Sequence, residues 1–499
     1  MIPISIGDLV EVTGARLVPD TSQTRSLIVE GPVVTDSREA APGSLYVARI
    51  GERLDGHDFV RPAAAAGAVA ALTSREVDVP AIAQLIVDDV QEAFVALARE
   101  VLRRARAAAG LTVIGITGSS GKTSTKDLLA HVLATHAPTV ANVGSLNSEV
   151  GVPLTVCRTM PDTAFLILEM GARGPGHIRY LTNMTDPEVG VVLNVGSAHL
   201  GVFGSQRTIA DAKAELVQAL EEDGLAVLNE DDPQVAAMAG RTRAGVIRVA
   251  RADRAERAGR VVAVGAAPPR AQVWADEVRL DPARGTPSFT LHAVGGSARV
   301  ELGLLGEHHV DNALAVAAVA LYLGMGLTEV AAALGTATPA SRWRMECHDR
   351  PDGLRVINDA YNANPESMAA ALRTLAVMTP PGPGGRRWVA VGEMLELGED
   401  SAQRHAAIGE LAARLGIDKV LAVGPGAAAV AEGALAAGMP PDQVECVADV
   451  DAAYAALGAQ LSPADLVLVK SSRDSGLRIL GERLSVGDQV ERESGEGRE

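Results

Sequence analysis

The apolar residues of this chain follow two rhythms. Short, continuous β-branched runs alternate with longer segments whose apolar positions recur every third or fourth residue. The first pattern suits strands buried on both faces, the second helices with one inward stripe. From 111 to about 250 the strand-like pieces TVIGIT, AFLILEMGA, VGVVLNVG and LAVLNEDD are separated by helical patterns. That alternation predicts a mainly parallel sheet with helices on both faces. Between 271 and 305 the texture changes to AQVWADEVRL, SFTLHAV and ARVELGLLG, which read as antiparallel strands at one side of the same unit. The helix-like DNALAVAAVALYLG follows, and TATPASRWRM looks like a crossing to a further unit. The β/α rhythm resumes over 342–484 in LRVINDAY, RRWVAVGEM, DKVLAVGPG and DLVLVKSS. Residues 1–110 open with short strands and turns, then give the helix-like RPAAAAGAVAALTS and the strand-like AQLIVDDV. They close on an amphipathic helix, QEAFVALAREVLRRARAAAG, that stops at Gly110. The predicted class is α/β in three domains, 1–110, 111–340 and 341–484. Residues 485–499 lack apolar periodicity and are expected to form a disordered tail.

The most specific chemistry lies in LTVIGITGSSGKTSTKD, residues 111–127. An apolar run from Leu111 to Ile116 gives way through Thr117-Gly118 and Gly121-Lys122-Thr123 to the helix-like TSTKDLLAHVLATH. Strand, glycine-bearing loop and helix make a cradle for phosphate. Glycines let backbone N–H groups approach the oxygens, and the helix N-terminus adds partial positive charge. Lys122 would reach the outer phosphates, and Thr123 would offer a hydroxyl to Mg²⁺. The string is shorter than the full phosphate-loop pattern, because Ile116 stands where its first glycine belongs. An ordinary strand–helix turn is the alternative.

Composition narrows the class. A chain of 499 residues suggests about three domains. The hydrophobic fraction of 47% can fill several cores, but with only 3% aromatic residues those cores must be built from Ala, Val and Leu. A net charge of −17 argues against nucleic acid or an anionic membrane as the main partner. The apolar runs fall short of a membrane span, and MIPISIGDLVEV lacks a basic segment leading into an apolar one. Cys157, Cys347 and Cys446 are far apart, which favours buried thiols in a reducing compartment over disulfides or zinc. A soluble, cytoplasmic protein is expected.

Other residues are candidates by position. Glu169 ends an apolar strand, where carboxylates face the ligand crevice of α/β sheets, and could share a metal with Thr123. The bland reading is a solvated strand end. His199, beyond VLNVGSAHL, is either structural or a ligand. In RTIADAKAELVQAL, Lys213 lies on the inward stripe of Ile209, Leu216, Val217 and Leu220. A lysine there either snorkels to the edge or is carboxylated by CO₂ into a metal-binding carbamate. GEHHVDNALA puts two histidines and Asn312 at a helix start, for capping or base recognition. INDAYNANPESM places Asp359, Tyr361, Asn362 and Asn364 after a strand, as a ligand loop or simply a capped helix start. Gly424-x-Gly426-x-x-Ala429 outlines a dinucleotide fingerprint without a convincing acidic partner, and reads as a close strand–helix turn.

Together these residues resemble one family, the ATP-dependent Mur ligases of bacterial cell-wall synthesis. The likeness runs from about residue 30 to 480. It rests on TDSREAAPGSLYVARIGERLDGHDF, TGSSGKTSTKD, LNSEVGVPLT, LEMGARGPGHI, NVGSAHLGVFGS, IADAKAEL, GEHHVDNALA, NDAYNANPESM, VGEMLELGEDSAQRH and VKSSRDSGL. NDAYNANPESM and MLELG favour the branch that joins D-alanyl-D-alanine to UDP-N-acetylmuramoyl-tripeptide over siblings that add other amino acids. The resemblance implies a first domain for the UDP-sugar, a central one for ATP, and a Rossmann-like third that closes over the site. It implies Gly118, Ser119, Ser120, Gly121, Lys122 and Thr123 on ATP phosphates, and Mg²⁺ ions, two in number, on Thr123, Glu169, His199 and carbamylated Lys213. Asn312 would meet adenine, with Arg342 and Asp359 near the ATP. Ser37 and Arg38 would meet the uridine nucleotide. Asn147, Ser148, Tyr361, Asn362, Asn364 and Lys470 would line the substrate side. Departures fall at His309, where relatives carry Asn, and at Ser148, where a second Asn is common. The implied chemistry is phosphorylation of the tripeptide carboxylate followed by attack of the dipeptide amine, by a monomer working on small molecules. The rivals are a diamino-acid-adding sibling, folylpolyglutamate synthetase, a phosphate-loop kinase, and a silent nucleotide-binding scaffold.

Overall fold

In the computed structural model, which describes residues 1–51, 53–196, 200–257, 267–268 and 270–487, the continuous apolar runs become strands covered on both faces. In Thr112–Thr117, Val113 joins one apolar layer while Ile114 and Ile116 join the other. In Phe165–Glu169, Leu166 and Leu168 go one way, Phe165 and Ile167 the other. Side chains alternate across a sheet with period two, so burial of both faces leaves no polar positions.

Among the described residues, the central sheet has nine strands. From one edge they are Gly296–Glu301, Pro287–Ala293, Val273–Leu280, Gly245–Arg251, Leu225–Asn229, Val189–Val192, Thr112–Thr117, Phe165–Glu169 and Thr139–Ala141. Pairing is parallel from Thr139–Ala141 through Val273–Leu280 and antiparallel beyond it. The antiparallel pieces thus extend the parallel sheet, as their alternation predicts. Thr112–Thr117 lies where the chain switches direction across the sheet, the usual ligand crevice of such folds. The helix His309–Tyr322 packs on this sheet with alanines at 313, 315, 317, 318 and 320 buried. Small side chains here replace the missing aromatics.

Among the described residues, a five-stranded sheet is drawn from residues 16–86, and a six-stranded one from residues 346–470. Each is parallel except for one edge strand, Arg16–Val18 in the first and Glu346–Asp349 in the second. The α/β class holds throughout.

Several local expectations need correction. Residues 6–13 form a helix, with Ser5 Oγ accepting from Asp8 N at 3.0 Å, rather than strand and turn. RPAAAAGAVAALTS is not one helix. The helix Val60–Ala65 ends, Gly67 turns at φ 105°, and Ala70–Thr73 is a fully buried strand. Alanine favours helix locally, and pairing with the flanking strands overrides that preference. The helix Val90–Ala109 does stop at Gly110, whose φ is 68°. The helix Leu477–Val486 runs two residues into the expected tail, and 488–499 lie outside the described residues. All three cysteines are free, but only Cys157 is buried, while Cys347 and Cys446 are exposed. Among the described residues no helix is long and apolar enough to cross a membrane.

The glycine-rich turn at 424–426 is a packing device. A Cβ on Gly426 would lie 2.3 Å from the Glu393 carboxyl carbon, an unfavourable neighbour for a pyrophosphate. Nearby, the helices Ser401–Arg414 and Ala428–Ala436 meet backbone to backbone. A Cβ on Gly409 would come within 1.8 Å of Val430 O, and one on Gly433 within 2.0 Å of Ala406 O. Gly409→Ala should therefore destabilise the chain by about 1–3 kcal/mol through overpacking. A thermal melt followed by circular dichroism checks this, and an unchanged midpoint would refute the close approach.

Candidate active site

The phosphate loop is shaped by its neighbours. Ser119 N donates to Asn194 O (3.0 Å) and Ser120 N to Asn194 Oδ1 (2.9 Å). Asn194, just past the strand Val189–Val192, therefore braces the loop from the adjacent strand end. Gly121 starts the helix Lys122–Ala134 at φ 80°, and a Cβ there would sit 2.8 Å from Asn312 Oδ1. Only glycine meets both demands cheaply. The first N–H groups of that helix have no intrahelical acceptor, and residues 119–124 line a cavity of about 1100 Å³.

Lys122 Nζ folds back to donate to Gly118 O at 2.8 Å. Burial lowers its pKa, opposed by Glu169 and reinforced by Arg344. Thr123 Oγ1 donates to Glu169 Oε2 at 2.7 Å, and Asn147 Nδ2 donates to Oε1 at 2.6 Å. Glu169 is 1% exposed, and among the described residues no cation forms a salt bridge with it, although the charge of Lys122 is near enough to be felt. The solvated-strand-end reading is thereby excluded. A buried carboxylate beside a hydroxyl is a donor set that suits a hard divalent cation. His199 lies outside the described residues.

Lys213 sits on the helix Gln206–Gln218, 5% exposed, with no hydrogen-bond acceptor among the described residues. It lines the same cavity. Burial, aided by the charge of Lys122, lowers its pKa to about 7. Snorkelling is therefore not its solution.

From the six-stranded sheet of residues 346–470, the third of the large sheets along the chain, and the loop after its strand Arg355–Asn358 come Asp359, Tyr361, Asn362, Asn364 and Lys470, all on the cavity wall. Lys470 Nζ pairs with Asp359 Oδ2 at 2.6 Å and donates to Asn362 O at 3.0 Å, while Asp359 Oδ1 accepts from Met345 N. Asn364 caps the helix Pro365–Val377, its Oδ1 accepting from Ser367 N at 2.8 Å. Asn312 and His309 are buried, with Asn312 Nδ2 3.3 Å from His309 Nδ1. Burial and the neighbouring His308 hold the His309 pKa well below its ordinary value. His308 stands at the N-cap without a side-chain cap bond, so a capping role does not hold there. Ser148 Oγ sits 3.4–3.5 Å from the N–H groups of Val150 and Gly151.

Arg342 is the clearest correction. It points to Glu482 (2.6 Å), stacks on Trp343 and does not line the cavity. Arg344 does: its Nη2 donates to Ser145 Oγ at 3.0 Å and its guanidinium lies 4.2 Å from the Tyr361 ring centre. Trp343 and Met345, at φ 60° and 51°, fix the alternation that sends neighbouring arginines opposite ways. Two arginines two positions apart in SRWRM were the available signal. Ser37 and Arg38 lie in a short turn, Arg38 paired with Asp36, away from this cavity.

Three family models match the chain: the Mur ligase family catalytic domain at 32–113, the Mur ligase middle domain at 116–320, and the Mur ligase glutamate ligase domain at 343–473. The chain belongs to the Mur ligase family. The UDP-N-acetylmuramoyl-tripeptide–D-alanyl-D-alanine ligase of Mycobacterium tuberculosis strain H37Rv is 44% identical, over 98% of this chain and 99% of that protein. A crystal structure of MurF from Acinetobacter baumannii superposes with a TM-score of 0.81 at 31% identity, covering 97% of this chain and 99% of that one. The MurF ligase of Thermotoga maritima in complex with ADP gives 0.75 at 26% identity, covering 93% and 99%.

Lys213 makes stability pH-dependent. With a pKa near 7 folded and an ordinary 10.5 unfolded, it binds fewer protons folded across that window. Stability therefore rises with pH between those values, and the full penalty applies below the lower one. In bicarbonate-free buffer near pH 6, Lys213→Met should be more stable than the parent by on the order of 1 kcal/mol or more, the gap closing towards the upper limit. Urea midpoints across pH test this; a constant gap would refute it.

Proposed function

We propose that this chain is an ATP-dependent ligase that joins D-alanyl-D-alanine to UDP-N-acetylmuramoyl-tripeptide in the cytoplasm, acting as a monomer. The observation that carries the reading is the Thr123–Glu169 contact at the head of the phosphate loop, in a cavity that also receives Arg344. The named activity of its near-full-length relatives supports the substrate pair.

A carboxylate condenses with an amine only when one of its oxygens becomes a leaving group. The tripeptide carboxylate attacks the terminal phosphorus of ATP, the bond to ADP breaks, and an acyl phosphate results. Lys122 leaves Gly118 O for the outer phosphates, and the helix start at Gly121 supplies N–H donors. Arg344 brings positive charge from the opposite wall. The dipeptide amine then attacks the acyl carbon, loses a proton, and phosphate departs. Docking of the third sheet keeps water from the acyl phosphate. Thr123, Glu169 and His199 would hold Mg²⁺, two ions in all, whose chemistry is to offset charge on the transferring phosphoryl group. Lys213 fits a CO₂-derived carbamate among those ligands, because a buried amine with a pKa near neutrality is available as a nucleophile. Asn312, beside Gly121, serves adenine. Asp359 and Lys470 brace the wall behind Tyr361, Asn362 and Asn364, and Asn147 and Ser148 face the substrate. Residues 1–110, with Ser37 and Arg38, take the UDP-sugar; 111–340 take ATP, and 341–484 close over both.

Purified protein should release phosphate from ATP only when both substrates are present, yielding a pentapeptide product by mass. Release with another amine instead would overturn the substrate assignment. Lys122→Ala should abolish turnover, and Lys213→Ala should be severely impaired but partly restored by formate or acetate. Arg344→Ala should lower kcat by about a hundredfold or more, whereas Arg342→Ala, which removes an exposed pair, should stay within about threefold. Equal losses at the two arginines would sink their assignment.

A further inference from the structure

Two residues on the phosphate-loop helix take no part in the chemistry above. Lys126 is 1% exposed. Its ammonium donates to Asn142 O (2.6 Å) and Gly144 O (3.1 Å) and lies 2.7 Å from Asp127 Oδ1. The other oxygen of Asp127 accepts from Ser341 Oγ at 2.6 Å. Gly144 adjoins Ser145, and Ser341 stands in the segment that leaves the central sheet for the third, three residues before Arg344. Arg344 then donates to Ser145 Oγ, itself 2.9 Å from Thr123 Oγ1. The contacts close a ring: Lys126, Gly144–Ser145, Arg344, Ser341, Asp127.

An ammonium sealed from water persists only when acceptors replace its hydration. Here those acceptors come from the loop that carries Ser145 and Asn147. A carboxylate that merely neutralised Lys126 would have no need to reach the linker with its second oxygen. The linker has little freedom to absorb an error, because Trp343 and Met345 already occupy left-handed backbone conformations.

We infer that Lys126 and Asp127 are positioning residues that set the reach of Arg344: they fix the loop bearing Ser145 and the linker bearing the arginine from one helix turn. The inference rests on the reading of Arg344 as the arginine that faces the phosphates. It makes docking of the third sheet and completion of the phosphate site one event, since the same tether serves both.

Ser341→Ala, Asp127→Asn and Ser341→Thr test it, alone and combined with Arg344→Ala. Ser341→Ala and Asp127→Asn should lower kcat about tenfold while changing KM for ATP less than about twofold. Ser341→Thr, which keeps the hydroxyl, should restore the rate. In the Arg344→Ala background neither loss should appear again, because residues acting through one group are not additive. An unchanged kcat, or losses that add in full to that of Arg344→Ala, would overturn the tether. Hydrogen exchange of the parent and Ser341→Ala needs no substrate and separates this question from that of the reaction. Faster exchange is expected in both 142–148 and 338–346, and no change in either would equally defeat the proposal. Parent protein inactive with the two substrates would instead fail the proposed reaction.

Discussion

A carboxylate almost sealed from water must have both oxygens occupied, and at Glu169 the occupants define the site. One oxygen takes the hydroxyl of Thr123 at the start of the phosphate-loop helix, the other the amide of Asn147 from the loop beyond the next strand. Glu169 N donates in turn to Asn142 Oδ1 (2.6 Å), and Lys126 holds the carbonyl of the same Asn142. The ends of two adjacent parallel strands, the phosphate loop and the substrate loop are thus locked around one buried charge. A buried charge that lacks a fixed cationic partner is costly in a static fold. Here the hydroxyl of Thr123 and the amide of Asn147 offset that cost.

Three lysines on the cavity wall and Lys126 behind it show how surroundings decide the use of one side chain. Lys470 and Lys126 are nearly sealed, and each meets a carboxylate and backbone carbonyls, so they serve as struts. Lys122 has a single carbonyl contact across its own loop, which a phosphate can replace. Lys213 has no acceptor among the described residues, and its pKa falls to about 7. The three surroundings differ in how many acceptors face the ammonium.

The third sheet enters this site through a linker held in two unusual backbone conformations. That geometry turns Arg344 inward and Arg342 outward to Glu482, and places Tyr361 under the inward guanidinium. The family models cover nearly all the strands of these three sheets, the edge strand Arg16–Val18 lying before the first match. The cavity itself is built at the meeting of the central and third sheets.

The sequence by itself determined the α/β class, the parallel runs with their antiparallel extension, the strand–loop–helix at 111–134, and the inward face of Lys213. These follow from local periodicity, which side-chain burial enforces residue by residue. It misled at AAAAGAVAAL, which reads as one helix, because the helix preference of alanine gives way to pairing with neighbouring strands. Tertiary structure decided that Glu169 and Thr123 touch, that Asn194 braces the loop, and that Arg344 rather than Arg342 faces the cavity. Each of those depends on strand order and backbone handedness, which bring together residues that no spacing along the chain relates.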